Sequence, residues 1–351
     1  SLQQTQRFAD AIASAEMVRR EMGLAGDGFS LGFFVGQGAT PNRILENPKP
    51  GEPDPDDDQM PRRYQVLEYC PFCHERSITM DFDRRSWRLE HRCGNTACIV
   101  NGDALPIYVV DEEIYRFLPT VVVGTLDKAA SISLQASMRG MVGAPLGVCS
   151  KEGHGYTYAP RSSRPSGCLV PGCRGARQAL PMEEDRYGPS FRLQDELHLL
   201  RDSLGAVDSH YEALYDALQD ELCGRKPKVL ASSATLTGYE KQVDVLYRRA
   251  ARIFPVPPPR VGGGFWTADS ESLMRRFVAI APRGVTIEYT VDRLLTELQI
   301  AVRDLARDPV SACADIGIDP QFSAELLSLY GTSVVYGNTL RDLEAVMRSM
   351  E

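Results

Sequence analysis

The sequence predicts an α/β protein built on a mainly parallel sheet, with two cysteine-rich insertions. Short apolar runs alternate along the chain with stretches of helical period, the order that a parallel sheet covered by helices requires. Seven of the nine cysteines fall in two clusters, one within 62–104 and the other within 141–189, a stretch rich in glycine, proline and serine. We expect both segments to be insertions in the first domain.

The composition restricts the class of protein. A chain of 351 residues suggests two or three domains, and its 43% apolar and 25% charged residues are ordinary for a globular protein. It contains no run of about 18 apolar residues and no secretory signal at its start. Because the number of cysteines is odd and no secretory signal is present, we expect free thiols in a reducing cytoplasm rather than disulfides. The net charge of −8 excludes a uniformly basic coat but leaves room for a local basic groove.

The periodicity predicts the elements in chain order. Helices are expected at 1–22, 111–117, 125–140, 205–222, 238–251, 286–307, 320–330 and 339–350. Strands are expected at 31–35, 105–110, 120–124, 191–194, 228–232, 276–280 and 333–337. Prolines and glycines at 255–264 break the pattern. We therefore place a first domain at 1–254, a linker at 255–275 and the start of a second domain at 276–351. Because the chain opens without Met inside a predicted helix, we expect it to be a piece of a longer protein.

The first chemical signal is the sequence Asp-Glu-Leu-His directly after the strand 191–194. A carboxylate at the carboxyl end of a parallel strand lies at the ligand crevice of the sheet. There Asp195 could hold Mg²⁺ on a nucleotide, Glu196 could polarise the attacking water, and His198 completes the pattern. The alternative is an ordinary acidic first turn of a helix, but the added histidine makes a chance match rare.

Two further segments have simple structural interpretations when each is taken alone. The end of strand 228–232 is followed by Ser233, Ala234 and Thr235, which would be a strand end and a helix cap. The helix predicted at 125–140 opens with Thr125, Asp127 and Lys128. A helix N-terminus with a hydroxyl and a lysine is a reasonable phosphate site, and a capped helix with a surface lysine is the alternative.

Taken in their order along the chain, these segments resemble motifs II and III of the superfamily 2 helicases. The resemblance implies two RecA-like domains, a DExH box that binds Mg²⁺-ATP and activates water, and a Ser-Ala-Thr motif that couples hydrolysis to nucleic-acid movement. It also implies that the Thr-x-x-Lys element grips the nucleic-acid backbone. The segment 31–42 stands where the preceding family motif should lie, and 332–340 looks like motif IV. The resemblance therefore places further nucleic-acid contacts at Thr40, Asn338 and Thr339.

The segments 105–130, 195–259 and 334–344 resemble more specifically the helicase subunit of the DISARM antiphage system. This resemblance implies a parent protein that uses ATP, Mg²⁺ and Zn²⁺ to translocate on or unwind DNA with a single-stranded part, beside a partner subunit of a defence complex. The chain contains no G-x-x-x-x-G-K-[ST] phosphate loop and no motif VI, so we expect it to bind ATP weakly and not to hydrolyse it alone. The alternatives are a DNA-repair helicase of similar zinc-bearing architecture and a non-catalytic zinc-dependent nucleic-acid-binding scaffold.

The cysteine spacing predicts two zinc sites. The first set has the two-pair layout of a zinc ribbon around a small hairpin and consists of Cys70, Cys73, Cys93 and Cys98. The second set lies in a loop with little core of its own and consists of Cys149, His154, Cys168 and Cys173. His154 as a plain loop residue is the alternative there, and His74 and His91 are expected to face solvent.

The hairpin between the first cysteine pairs is rich in cations and carries one aromatic residue among them: Arg84, Arg85, Trp87, Arg88 and Arg92. This mixture suits phosphate contact and base stacking, and it suits an ordinary hairpin surface equally well. A structural role for both insertions, folding a loop around a metal, is the simpler expectation.

Overall fold

The computed structural model describes residues 4–36, 40–125, 128, 136–234, 237–254, 276–337 and 339–350. It shows a mixed α/β fold with parallel strands, as the sequence predicts. The chain divides into two compact units, Ser1–Ile253 and Phe254–Glu351. In the described residues, no helix is long and apolar enough to span a membrane.

The first unit contains all of the described strands. Its helices are α1 Thr5–Glu21, α2 Met60–Arg63, α3 Asp111–Phe117, α4 Arg139–Val142, α5 Asp202–Cys223 and α6 Tyr239–Tyr247. Its strands are β1 Leu31–Phe34, β2 Ile78–Asp83, β3 Arg88–Cys93, β4 Ile107–Tyr108, β5 Val121–Gly124, β6 Gly147–Cys149, β7 Tyr156–Thr157, β8 Arg177–Gln178, β9 Phe191–Gln194 and β10 Lys228–Ala231.

Strand β1 is the centre of a three-stranded parallel sheet in the order β4-β1-β5. Leu31 lies opposite Ile107 on one side and opposite Val121 on the other. All four residues of β1 are buried, as is usual for a parallel strand covered on both faces. Helix α3 approaches the strand closely at Gly32, where a Cβ atom would lie 3.0 Å from Cγ1 of Ile114.

Strands β9 and β10 form a second parallel pair, with Phe191 opposite Lys228 and Gln194 opposite Ala231. Helix α5 connects the two strands, and α6 follows β10. The sequence predicts one mainly parallel sheet. In the described part of the chain, this pair is separate from β4-β1-β5, because no described strand lies between them to join the two.

The two cysteine-rich insertions form small antiparallel sheets. In the first, β2 and β3 pair over their whole length, from Ile78 opposite Cys93 to Asp83 opposite Arg88. This hairpin is the one that the sequence predicts. In the second insertion, three short strands pair in the order β7-β6-β8.

The second unit is helical in its described residues, with α7 Ile287–Arg307, α8 Pro309–Asp315, α9 Ser323–Tyr330 and α10 Leu340–Met350. The strands predicted at 276–280 and 333–337 are wrong. A strand needs a neighbour for its backbone hydrogen bonds, and none is described in this unit. The apolar side chains of these segments stay in solvent, with Phe277 88% and Tyr336 92% exposed.

Smaller differences concern the ends of elements. The strand predicted at 105–110 is reduced to β4, and the helix predicted at 238–251 ends at Tyr247, because Arg248 adopts a left-handed conformation with φ 51°. Most of the helix predicted at 125–140 lies outside the described residues, and its last part is the short helix α4.

Candidate functional site

The carboxyl ends of β9 and β10 meet at one edge of their sheet. Asp195 follows β9, and its carboxylate accepts hydrogen bonds from the backbone N–H of Glu196, at 2.9 Å, and from the hydroxyl of Ser232, which follows β10. The backbone N–H of Leu197 donates to the carbonyl of Ser232 at 2.9 Å. These bonds fix the turn that carries the acidic residues against the end of the neighbouring strand.

His198 makes a further contact between the two segments. Its Nδ1 atom lies 3.4 Å from the backbone N–H of Ala234 and 3.3 Å from Oε2 of Glu196. The ring of His198 thus lies between the acidic motif and the backbone of Ala234. Glu196 is half exposed and has a φ of 53°, a conformation that is uncommon for a residue with a side chain and is concentrated at functional sites.

The structure therefore brings together two segments that are 37 residues apart in sequence. Ser233 also lies at this edge, whereas Thr235 lies outside the described residues. A carboxylate and a hydroxyl at the carboxyl end of a parallel strand are oxygen donors of the kind that Mg²⁺ prefers. The residues present thus fit the metal-nucleotide role that the sequence predicts for Asp195.

The residues expected to contact nucleic acid take varied positions. Thr125 is exposed at the end of β5, and Asp127 and Asn338 lie outside the described residues. Thr339 caps α10: its hydroxyl accepts from the backbone N–H of Asp342 at 3.2 Å, and its own N–H donates to the Asp342 carboxylate at 3.1 Å.

Lys128 and Thr40 are buried. The ammonium group of Lys128 pairs with the carboxylate of Asp111 and donates to the side chain of Asn42. Burial raises the pKa of Asp111 to about 6, although the lysine opposes that shift. The Thr40 hydroxyl lies 3.4 Å from the carbonyl of Val35. In this conformation neither side chain reaches a phosphate in solvent.

The first cysteine cluster has the geometry of a tetrahedral metal site. The ligand atoms of Cys70, Cys73, Cys93 and Cys98 all lie within 4.8 Å of one another. The sulfur atoms are 3.8 Å apart in the pair Cys70–Cys98 and 3.7 Å apart in the pair Cys73–Cys93. Four sulfurs at about 2.3 Å from zinc are about 3.8 Å apart, so the set fits Zn²⁺.

His91 does not face solvent, contrary to the expectation from the sequence. It is fully buried, and its Nε2 atom accepts from the backbone N–H of Val66 at 3.1 Å. Burial lowers its pKa to about 3, which keeps the ring neutral. His74 is exposed. Both histidines are outside the first metal cluster, whose four ligands are cysteines.

The second cluster joins three cysteines to His154. Its ligand atoms also lie within 4.8 Å of one another. The Nδ1 atom of His154 is 3.2 Å from the sulfur of Cys173 and 3.6 Å from that of Cys168, while Nε2 lies 3.1 Å from the carbonyl of Arg85. The Nε2–H group donates to that carbonyl, which leaves Nδ1 as the metal ligand. Burial lowers the pKa of His154, so that the ring is neutral as a ligand must be.

The chemistry of both donor sets supports a metal. Burial raises the pKa of the Cys70, Cys98, Cys149 and Cys168 thiols, so their thiolates need a cation nearby. All nine cysteines are free in this structure, which excludes disulfides among them. In each site four protein ligands complete a tetrahedron, an arrangement typical of structural zinc with no open position for chemistry.

Arg116, on helix α3, contacts both insertions. Its side chain is 2% exposed, and its guanidinium donates to four backbone carbonyls. Two of these acceptors, Ser86 and Trp87, belong to the hairpin of the first insertion, and the other two, Gly153 and His154, belong to the second. This residue thus positions a metal ligand and the neighbouring hairpin together.

The comparisons with known proteins agree with the motifs. No family model matches the chain. The chain resembles a DISARM protein. It is 28% identical over 372 residues to DISARM protein DrmA of Bacillus paralicheniformis, a match that covers 99% of this chain and 31% of the relative. The resemblance predicted from the motifs is therefore confirmed, and the chain spans about a third of the length of the curated relative that it matches.

Two residues of this DISARM-like chain escape an analysis of motifs. Ser232 holds Asp195, yet it stands one position before the Ser-Ala-Thr motif, and only the repeated serine in the sequence hints at it. Arg116 lies in a short helix with three acidic residues, and no motif includes it. Its four acceptors are backbone carbonyls, and backbone acceptors leave no mark on a sequence.

Proposed function

We propose that this chain is the central part of the motor of an ATP-dependent DNA helicase or translocase that acts in antiphage defence. In this proposal the first unit is a RecA-like domain with two structural zinc insertions, and the second unit begins the other RecA-like domain. The observation that carries the proposal is the hydrogen bond from Ser232 to Asp195, which joins the acidic motif to the end of the neighbouring strand. The resemblance to a DISARM protein supports the defence role.

Each residue of this edge then has a role that its contacts support. Bound Mg²⁺ would neutralise the charge of the nucleotide phosphates, and Asp195 with Ser232 offers the oxygen ligands for it. The exposed carboxylate of Glu196 orients and polarises water at the edge. His198 stands between Glu196 and Ala234, so movement of the Ser-Ala-Thr segment changes the partner of the ring.

The cysteine clusters act as structural sites in this proposal. The four ligands of each site hold together the insertion that carries them. Thr125, which is exposed, keeps the proposed role in nucleic-acid contact. For Lys128 this role would require its buried pair with Asp111 to open, and for Thr40 it would require the hydroxyl to leave the carbonyl of Val35.

The test is hydrolysis of ATP by the full-length protein that contains this chain, purified with its zinc and measured with and without single-stranded DNA. We expect DNA to stimulate hydrolysis, and we expect Glu196→Gln to lower the stimulated rate at least about a hundredfold, because it removes a general base. Glu183→Gln, an exposed change of the same kind, serves as the control and should leave the rate unchanged.

Zinc content and thermal unfolding of the variants show whether each protein is folded. A folded, zinc-loaded wild-type protein that shows no hydrolysis with DNA, even beside its partner subunit, would contradict the proposal and favour a non-catalytic scaffold. Hydrolysis that persists in Glu196→Gln would leave a motor but move its chemistry away from this residue.

A further inference from the structure

The second metal insertion concentrates positive charge. Within residues 147–178, which we call the second metal module, the only carboxylate is Glu152, and the cations are Lys151, Arg161, Arg164, Arg174 and Arg177. The chain as a whole has a net charge of −8. Three thiolates around Zn²⁺ carry a single net negative charge, which one cation would offset. The module therefore holds more positive charge than its metal site needs.

Few of these cations have a partner within the protein. Arg164 pairs with Glu112 at 2.9 Å, and Arg177 makes one long hydrogen bond of 3.4 Å to the carbonyl of Tyr158. Lys151, Arg161 and Arg174 are exposed, and in the described part of the chain no ion pair holds their side chains. Buried or paired cations are ordinary structural elements, whereas a group of exposed and unpaired ones is available to an external anion.

Arg174 and Arg177 line one open cleft, whose volume is about 630 Å³ and whose other wall includes Pro165 and Ser166. The metal site and the small sheet fix the backbone positions of these two arginines. Arg174 directly follows the ligand Cys173, whose sulfur accepts from the N–H of Gly175 at 3.3 Å. Arg177 stands on β8, and its stem covers Gly147 so closely that a Cβ there would lie 2.5 Å from Cγ of the arginine.

The hairpin of the first insertion carries four arginines, and three of them are paired within the protein. Arg84 pairs with Asp56, and Arg92 pairs with Glu90. Arg88 lies 3.2 Å from Glu90 and also stacks over two aromatic rings. Among the described residues, the hairpin thus leaves one arginine, Arg85, without an ion pair, whereas the second metal module leaves three exposed cations without one.

We propose that the cleft of the second metal module binds the phosphate backbone of single-stranded DNA without sequence preference, a proposal that rests on the proposed function. Guanidinium groups match phosphate oxygens in a two-pronged geometry. The cleft is open rather than enclosed, which suits a strand that passes through it. The described residues that line it include no aromatic side chain for base stacking, so the proposed contacts are to the phosphate backbone.

The experiment measures binding of the zinc-loaded, full-length protein to fluorescein-labelled oligothymidine by fluorescence anisotropy over a series of salt concentrations. For Arg174→Gln combined with Arg177→Gln, we expect weaker binding and a salt slope reduced by about 1.4, since each phosphate contact to a single strand contributes about 0.7. An oligonucleotide of mixed sequence should lose affinity equally. The pair Arg174→Lys and Arg177→Lys should keep most of the slope, because it keeps the charge.

Arg62→Gln combined with Arg76→Gln removes two exposed arginines elsewhere in the first unit and should leave the slope unchanged. Zinc content equal to that of the wild type shows that the variants keep the module folded.

If the wild type binds DNA and the Arg174/Arg177 glutamine pair binds it with the same slope, the cleft is not the site. If that pair keeps DNA binding but loses salt-sensitive association with an acidic protein subunit, the cleft binds protein instead. A wild type that binds no DNA contradicts the proposed function itself.

Discussion

The two metal clusters have nearly the same ligand geometry but different surroundings. The sulfurs of Cys70, Cys93 and Cys98 belong to the main core of the first unit, the same core that contains Leu31 and Phe33 of the parallel sheet. The sulfurs of the second cluster lie in a smaller core, in which Val170 is buried and Trp87 of the first insertion packs against them. A metal in the first cluster would therefore support the sheet directly, whereas a metal in the second would support chiefly the loops that carry its ligands.

Helix α3 holds the two insertions through the side chains of Glu113 and Arg116. The carboxylate of Glu113 accepts from the backbone N–H of Leu89 at 2.7 Å, within the first hairpin. One turn later, the guanidinium of Arg116 holds carbonyls of both insertions. The first insertion is thus joined to the sheet through its core, Glu113 and Arg116. The second is joined through Arg116, through the Arg164–Glu112 pair, and through a smaller core in which Tyr158 and Leu169 pack with Phe34. Three changes test this difference, from the largest effect to the smallest.

The largest effect is expected from removing one metal ligand. Structural zinc contributes on the order of 10 kcal/mol to folding, comparable with the whole stability of a domain. Cys98→Ser should therefore abolish cooperative unfolding of the entire first unit, because its metal site is part of the main core. Cys173→Ser should unfold only the second metal module, since few core residues depend on it.

Zinc content by mass spectrometry and amide hydrogen exchange across the chain distinguish the two results. Cys313→Ser, which changes a buried cysteine of the second unit, is the control for the chemical change and should keep both metals. Equal loss of protection in β1 for both ligand variants would show that the two metals support the sheet alike.

A smaller effect is expected for Arg116→Met, which removes the connection between the insertions. The change leaves four backbone carbonyls in buried or partly buried contacts without their donor, and we expect a loss of about 3–5 kcal/mol in the free energy of unfolding. Because Arg116 positions the backbone of the ligand His154, zinc affinity at the second cluster should fall about 10- to 100-fold. Competition with a chromophoric chelator measures the affinity, and chemical denaturation measures the stability.

Arg186→Met removes an exposed arginine and serves as the matched control, with little effect on either quantity. An affinity loss at the first cluster as large as that at the second would contradict the view that Arg116 acts mainly on the second module.

The sequence predicts the metal clusters well and their attachment poorly, for a physical reason. Ligand spacing is local, so the pairs Cys70–Cys73 and Cys93–Cys98 can be recognised without knowing the fold. The strands β1, β5, β9 and β10 are likewise local apolar runs, and the structure forms each of them. The run at 276–280 has the same local pattern but no described partner strand, and pairing is not a local property.

The candidate site shows the same contrast between local patterns and contacts that depend on the fold. The Asp-Glu-Leu-His and Ser-Ala-Thr segments can each be recognised from the sequence alone, whereas the bond between Asp195 and Ser232 depends on the pairing of β9 with β10. The burial of Lys128 could not be predicted, because it depends on Asp111, which lies 17 residues away and looks like an ordinary acidic residue at a helix start. Tertiary partners decide whether a cation faces solvent or an internal carboxylate.

The smallest of the three effects concerns pH. Burial raises the pKa of Glu113 to about 7, above the value of 4.5 for an exposed carboxyl group. The folded protein therefore holds this proton more tightly than the unfolded chain, so the group's contribution is fully present below pH 4.5 and is lost as the pH rises through about 7. The loss amounts to at most about 3 kcal/mol. In Glu113→Gln, a side-chain oxygen still accepts from Leu89 but does not ionise, so stability should vary less between pH 5 and pH 8.

Denaturation of the wild type and Glu113→Gln at both pH values measures this difference, with the exposed change Glu75→Gln as the control. Hydrogen exchange then tells which insertion responds. Because the carboxylate touches the first hairpin and not the second module, rising pH should lower protection at Leu89 before it lowers protection at Cys168. Equal changes at the two positions would mean that α3 transmits the charge to both insertions, and that they behave as one cooperative unit despite their separate cores.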